Sequence, residues 1–558
     1  MINLTNEQKE LFAYIDGILP GDGHLKYDFR DEKQYEFAVM MSQLSGDADL
    51  YPGKLKSLEL MKAYQEQHGL QENEPQTADG WTNMFKIPGL NLTTDGTIAS
   101  NGLATVVGGY ASMNLALIVQ SRKTKDIVAH GFNNDFAKAL LTVSTAASTS
   151  KEIDVNSYLH YQYTTSSGSE TASPQSGLVK KQDNGGTTGD PVITAPARTT
   201  TKPNNPKAIN IGLGRPWTDQ GGDSQFDYAW YESTQDHPIG KIPFVGSATF
   251  SQAISTPLEP NTNFLLDIYV ADEVGGGGAQ LNPTDLDTVY KAFSIDSGND
   301  AKLNWSLPAG ASTTDPGNPI VFGNVTWSSD ILAYFYCQIA VVLSGGDGSL
   351  AFATVQSSDS PDSDPLDGTY NMKPIDFIWH CLGQSTSVTM ADGEQRPIAD
   401  IVAGDKVQIN SEGDFAVVQW TNKGAHKGDV YFIRTEGGDE LIASHNHVIM
   451  TERGPVPASE LQEEDVLLTR TGTSKVASIS KDAYSGLMYN LATTEYQDPK
   501  HFNGEIGAFY ANGLQVGDIN AQKAYRLILA NDMAWVKKQV PDYLHKDVES
   551  FFQAKKDA

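Results

Sequence analysis

The sequence predicts a mainly β, multidomain protein: a β-sandwich or jelly-roll-like domain, then a second all-β domain, with helical segments towards both ends. Three observations carry this. Apolar residues come mostly in short alternating runs bounded by Gly, Pro, Asn and Asp, the period-2 signature of strands. Glycine makes up 51 of 558 residues, with Ser, Thr, Asn and Asp also abundant, a composition suited to turns rather than long helices. Apolar residues at helical spacing are concentrated near the two ends. The length suggests about three or four domains.

The net charge of −29 repels phosphates, so nucleic acid is not an expected partner. It suits solubility and an extracellular or saline setting. The two cysteines, Cys337 and Cys381, cannot make a disulfide framework. Cys337 lies in ILAYFYCQIAVVL, which is too short to span a bilayer and reads as core strand, so a free thiol and no membrane span are expected. The opening MINLTNEQKELFAYIDG is amphipathic and acidic, unlike a secretory signal. The location implied is cytoplasmic, or surface or extracellular by a leaderless route.

Residues 1–85 read as partly helical. Leu4-Thr5-Asn6 supplies a cap candidate before EQKELFAYIDGIL, and Pro52 to Leu70 forms a second helix with Pro early and Gly late. These helices read as an assembly arm or as the cap of the next domain, with the cap favoured. Residues 86–163 read as the mixed α/β part of an upstream domain, with two apolar segments around a Gly-Gly turn and a helix over Asn133 to Thr145. His130 and His160 have no partners at ligand spacing, which predicts surface or core roles. Residues 164–207 are rich in Ser, Thr, Gly and Pro and read as a flexible linker or long loop. Residues 208–356 read as the sandwich or jelly roll, from AINIGLG to SLAFATV. Trp217, Trp230 and Tyr231 could form a carbohydrate platform, although core or edge aromatics are the commoner arrangement. GGGG at 275–278 lacks P-loop spacing and reads as a flexible turn. The stretch 357–380 reads as an acidic linker, since SSDSPDSDPLDG lacks the closing Glu of a calcium loop. No cofactor or metal site is expected.

The stretch 381–518 says most. It opens with Cys381, Leu382, Thr386 and Val388, then Gly393, Pro397, Ile398, Ile401, Gly404, Asp405 and Val407. Ser444-His445-Asn446-His447 follows, with Gly454, Ala458, Glu460, Leu461, Asp465 and Val466. Tyr489-Asn490-Leu491 and Ala511-Asn512-Gly513 lead to Val516-Gly517-Asp518. Three blocks in this order resemble the Hint family, the self-processing domain of inteins, hedgehog C-terminal domains and bacterial intein-like proteins. The resemblance covers about a quarter of the chain.

The residue types fit acyl chemistry. A cysteine thiolate is a strong nucleophile near neutral pH, and Cys381 can attack the carbonyl of His380 to form a thioester. The amide nitrogen must be protonated as it leaves, which a histidine can do. The resemblance assigns that part to His447, lets Ser444 orient the peptide in place of the usual Thr, and leaves Asn446 or backbone N–H groups to hold the oxyanion. The plainer reading makes Cys381 a small buried hydrophobe and His445 and His447 same-face residues of a strand that pack, cap a turn or hold a metal weakly.

The sequence also departs from the family. The terminal His-Asn of inteins is replaced by Gly517-Asp518, and Gly507-Ala508 stands where an Asp or His is common. Splicing is therefore not expected. The tail 519–558 reads as one helix over Ala521 to Lys537, ended by Pro541, and a second within HKDVESFFQAKK. The function implied is self-cleavage at His380–Cys381, freeing an upstream surface, assembly or toxin-like payload. The alternative is a non-cleaving structural protein in which the Hint fold is an interaction module and the β domain builds a homo-oligomeric particle, fibre or sheath.

Overall fold

The computed structural model describes residues 1–557 except 45–49, 71–83, 87–88, 94–95, 107–110, 137–139, 149–152, 166–173, 185–187, 190, 195–207, 214–226, 231–238, 243, 273–277, 281–285, 308–319, 327–330, 346–347, 349, 359–367, 379–381 and 495–505. The protein is mainly β, with helices towards both ends. Three helices, Asn6–Ile18, Glu32–Leu44 and Pro52–His68, open the chain. The first begins in a capping box: Gln8 N–H donates to the Thr5 hydroxyl, and the Gln8 side chain accepts from Thr5 N–H.

These helices cover one face of a five-stranded antiparallel sheet made of His24–Lys26, Pro174–Asn184, Val155–Thr165, Ala111–Ser121 and Ile127–Asp135. Side-chain alternation explains the packing. Ile118, Tyr158 and Leu178 join Phe12, Ile15, Phe37 and Leu58 on the helical side. Their neighbours Leu117, Leu159 and Val179 join Phe85, Leu141 and Val143 of a second, four-stranded sheet on the other. Each such buried side chain contributes about 1.5–3 kcal/mol.

A second sandwich follows. An eight-stranded sheet centred on Ile331–Val342 packs against a four-stranded sheet containing Phe244–Thr249 and Asn299–Leu307. Cys337 is free and fully buried in its central strand, and burial raises its thiol pKa well above the usual value. The two sandwiches meet through Asn91, whose side chain bonds Phe352 N–H and C=O at 3.0 and 2.9 Å.

Several expectations are corrected here. The helix expected over Asn133 to Thr145 is instead parts of two strands, Ile127–Asp135 and Leu140–Ser148, and the described residues of 86–163 contain no helix. Its apolar spacing suited either period, and pairing with neighbouring strands decides. The expected linker 164–207 contains Pro174–Asn184, paired along Val155–Thr165, with Leu178 and Val179 buried. The expected acidic linker 357–380 contains Thr369–Met372 and Ile375–Ile378, and Ile375 and Phe377 are core residues. Gly275 to Gly277 of the expected flexible turn lie outside the described residues.

Residues 382–517 form an eleven-stranded sheet around a separate core. Its backbone is a long ladder between Trp420–Thr435 and Gly472–Ala492, running from Trp420↔Ala492 to Arg434↔Ser478. One turn occurs twice. Pro397 precedes the 3₁₀ turn Ile398–Asp400, and Asp405 then accepts from Val402 N–H at 2.9 Å. Pro457 precedes Ala458–Glu460, and Asp465 accepts from Gln462 N–H at 2.9 Å. Even the entry matches: Ile398 N–H donates to Thr386 C=O, and Ala458 N–H to His447 C=O.

The tail is not one helix through Lys537. Ile519–Asn531 stops, and Asp532 caps a new helix, Met533–Gln539, by accepting from Ala534 and Trp535 N–H. His545–Asp557 follows.

Candidate active site

The Ser444–His447 segment is a turn between the strands Glu440–Ala443 and Val448–Thr451, not the expected strand with both histidines on one face. His447 N–H closes the turn on Ser444 C=O at 3.1 Å. The turn separates the two rings: His445 is exposed beside Tyr431, while His447 is fully buried. Ser444 is buried and Asn446 half-buried. Burial strips water from His447 and lowers its pKa from 6.5 to about 3, so the imidazole is neutral at ordinary pH.

His380 and Cys381 lie outside the described residues. The strands on either side are described: Ile375–Ile378 ends in the second sandwich, and Leu382 begins the module. Leu382 pairs with Ala443 on one side and Tyr489 on the other. Ala443 directly precedes Ser444, and Tyr489 directly precedes Asn490. The pairing therefore gathers both at the start of the module.

Asn490 has no assigned part in the sequence reading. It is fully buried, its Oδ1 accepts from Leu491 N–H at 2.8 Å, and its Nδ2 meets no acceptor among the described residues. An unmet buried donor costs about 1–3 kcal/mol, so its retention needs a reason. The available signal was an Asn between Tyr489 and Leu491 in an apolar run, but locating it required knowing which strand Leu382 joins. Thr386 is also buried, with its hydroxyl unpartnered among the described residues.

Ala511-Asn512-Gly513 forms a hairpin turn between Ala508–Ala511 and Leu514–Gly517. Asn512 and Gly513 have φ of +51° and +84°, the left-handed pair that a tight hairpin requires. The Asn512 side chain accepts from Ser387 N–H at 2.6 Å and donates to Glu440 C=O at 2.8 Å, tying together the opening and middle of the module.

Asp518 is fully buried and caps the helix Ile519–Asn531. One oxygen accepts from Asn520 and Ala521 N–H, both at 3.0 Å. The other accepts from the N–H and hydroxyl groups of Thr493 and Thr494 at 2.8–3.1 Å. Burial pushes its carboxyl pKa up, and the threonine hydrogen bonds pull it down. A Cβ on Gly517 would stand 2.5 Å from Ala521 Cβ and 3.1 Å from Val448 Cβ, so this packing has no room for the intein histidine.

Trp217 and Tyr231 lie outside the described residues, and Trp230 has no described side chain, so nothing further supports a carbohydrate platform. His130 is exposed, whereas His160 is buried with Nδ1 3.2 Å from the Tyr27 hydroxyl. Among the described residues, no three His, Cys, Asp or Glu side chains gather as a metal site requires, and no helix is long and apolar enough to cross a membrane.

No family model and no curated protein matches the chain. Among solved structures, it is similar to the gp41-1 intein, at 25% identity over 24% of this chain and 96% of that one, with a TM-score of 0.20. It is similar to a DnaB intein from Synechocystis sp. PCC 6803, at 19% identity over 25% of this chain and 97% of that one, with a TM-score of 0.21. It is also similar to a bacterial intein-like domain from Clostridium thermocellum, at 19% identity over 25% of this chain and 99% of that one, with a TM-score of 0.21.

Proposed function

We propose that the module acts on the peptide bond in front of it, as the Hint resemblance implies, and cleaves between His380 and Cys381. The reading is supported by the pairing of Leu382 with Ala443 and Tyr489, the residues directly before Ser444 and Asn490, and by the turn that His447 N–H closes on Ser444 C=O. Cys381 Sγ attacks the His380 carbonyl carbon, and the thiol proton passes to the neutral His447 imidazole. The tetrahedral intermediate collapses by breaking the bond from carbon to the Cys381 nitrogen, which takes the proton back from His447. Ser444, Asn446 and Asn490 supply polar groups to hold the peptide and its developing oxyanion. Water then hydrolyses the thioester, leaving a carboxylate on His380 and regenerating the thiol. Splicing does not follow, because Asp518 lacks the amide that would cyclise and Ile519 offers no acyl acceptor.

The test is intact mass after incubation at neutral pH, with and without added thiol. The expected result is a split after His380, accelerated by thiol, abolished by Cys381→Ala and slowed at least ~100-fold by His447→Gln. A chain that stays whole with thiol supports the second reading, a structural module that does not cleave. One observation favours that reading: where a processing domain would end, Asp518 instead caps a helix that continues the chain.

A further inference from the structure

The helix Pro52–His68 lacks a cap of its own, because the Tyr51 side chain makes no capping bond. Asp547, near the far end of the chain, takes that role. Its Oδ1 accepts from Gly53 N–H at 2.7 Å, and the carboxylate is also bonded by Lys54 N–H. Burial pushes the carboxyl up to about 6, against the pull of those bonds and of the Lys54 ammonium, so it is ionised at pH 7.5. The approach is close enough to require glycine: a Cβ on Gly53 would stand 2.7 Å from Tyr543 O and 2.8 Å from Asp547 Oδ2. Beside this cap, Phe136 of the body packs into a cluster with Val536, Val540, Leu544, Val548 and Phe552 of the tail. The tail's first helix belongs to the module instead. Ile519 packs on Trp420 and Ala492, Ala521 packs on Val448 and Met450, and the Tyr525 hydroxyl reaches Glu460 at 3.2 Å.

We propose that residues 533–557 are a clasp that holds the module to the body, so that cutting the chain between Ile378 and Leu382 does not separate the two pieces. The module is then attached twice, covalently at its start and through the tail at its end. This deepens the cleavage reading by making release a second, separate step. The severed body, now ending in a carboxylate, would stay in one complex with the module. The clasp itself does not depend on the chemistry at Cys381.

The test removes that chemistry. In the full chain carrying Cys381→Ala, a protease recognition sequence is inserted between Ile378 and Leu382 and cut to completion, as verified on a denaturing gel. At 1 µM and pH 7.5, native mass spectrometry should find both pieces in one complex. Asp547→Ala with Phe552→Ala should weaken the association at least ~100-fold and separate the cut pieces. Gly53→Leu, which blocks the same contact from the body, should do likewise even if the tail variant misfolds. Separation of the cut pieces with the tail unaltered would overturn the proposal, as would a complex that survives both sets of substitutions. Self-cleavage of the native chain is measured separately, so failure of either reading leaves the other to be judged by itself.

Discussion

His447 enters the proposed reaction as a neutral imidazole, and that fixes the order of events. It cannot begin as a charged acid near neutral pH, so it must first collect the thiol proton. The active form is then the protonated thiol beside a neutral imidazole, so the cleavage rate should show no inflection around 6.5 and should fall as the thiol loses its proton to solvent near ~8.5. A rate step centred between pH 6 and 7 that His447→Gln abolishes would contradict this. The same burial affects stability. The folded-state pKa is about 3, below that of the unfolded chain, so between those values unfolding takes up a proton. Stability is complete above about pH 6.5 and falls on acidification by about 1.4 kcal/mol per pH unit. His447→Gln should remove that slope from the module's unfolding transition, and equal slopes in the two proteins would show that His447 is protonated in the fold. That Ser444 and His447 share one segment was legible in the sequence because they lie three residues apart, while Cys381 lies outside the described residues. The fates of the two rings were not, because a turn rather than a strand sends one to solvent and the other to the core. Asn490 was illegible because its setting depends on strands far apart in sequence.

At the scale of elements, the Ala511–Gly513 turn and the Asp518 cap invite opposite expectations. Asn512 has a left-handed backbone and two side-chain hydrogen bonds, so Asn512→Ala should cost about 2–4 kcal/mol, read as a lower urea midpoint for the module. A change under about 0.5 kcal/mol would mean the turn is not held as described. Asp518→Asn supplies the amide that splicing chemistry uses, yet it places an NH₂ where donors already converge. It should destabilise the helix Ile519–Asn531 and yield no free tail. Mass spectrometry detecting a free 519–558 peptide would refute this. The first and third helices were legible from the cap candidate within Leu4-Thr5-Asn6, from Pro52 and from their apolar spacing. The strands Ile127–Asp135 and Leu140–Ser148 were not, since their short apolar runs fit a helix until the neighbouring strands are known. The repeated turn ending at Asp405 and Asp465 was available to a self-comparison of the sequence, because Pro397 and Pro457 open it with identical spacing to those aspartates.

For the whole molecule, the mainly β class was legible because alternation persists over hundreds of residues. The two expected linkers were not, because composition averages over segments that in fact contain strands. Pro174–Asn184 carries Leu178 and Val179 between polar residues, enough to pair along Val155–Thr165 and bury them. Exposed ladder edges also bear on assembly. Val192–Thr194 ends the four-stranded sheet of the second sandwich with Val192 exposed, and such edges recruit further chains. We expect light scattering to give a multiple of 60.4 kDa, and a monodisperse monomer would rule this out. The five-stranded sheet has a further consequence through its two covered faces. Val155–Thr165 has a strand on each side, helices above and another sheet below, so its amides can meet water only when several layers part together. In deuterated solvent, these amides should be among the last in the chain to exchange, marking the unit whose opening approaches global unfolding of the body.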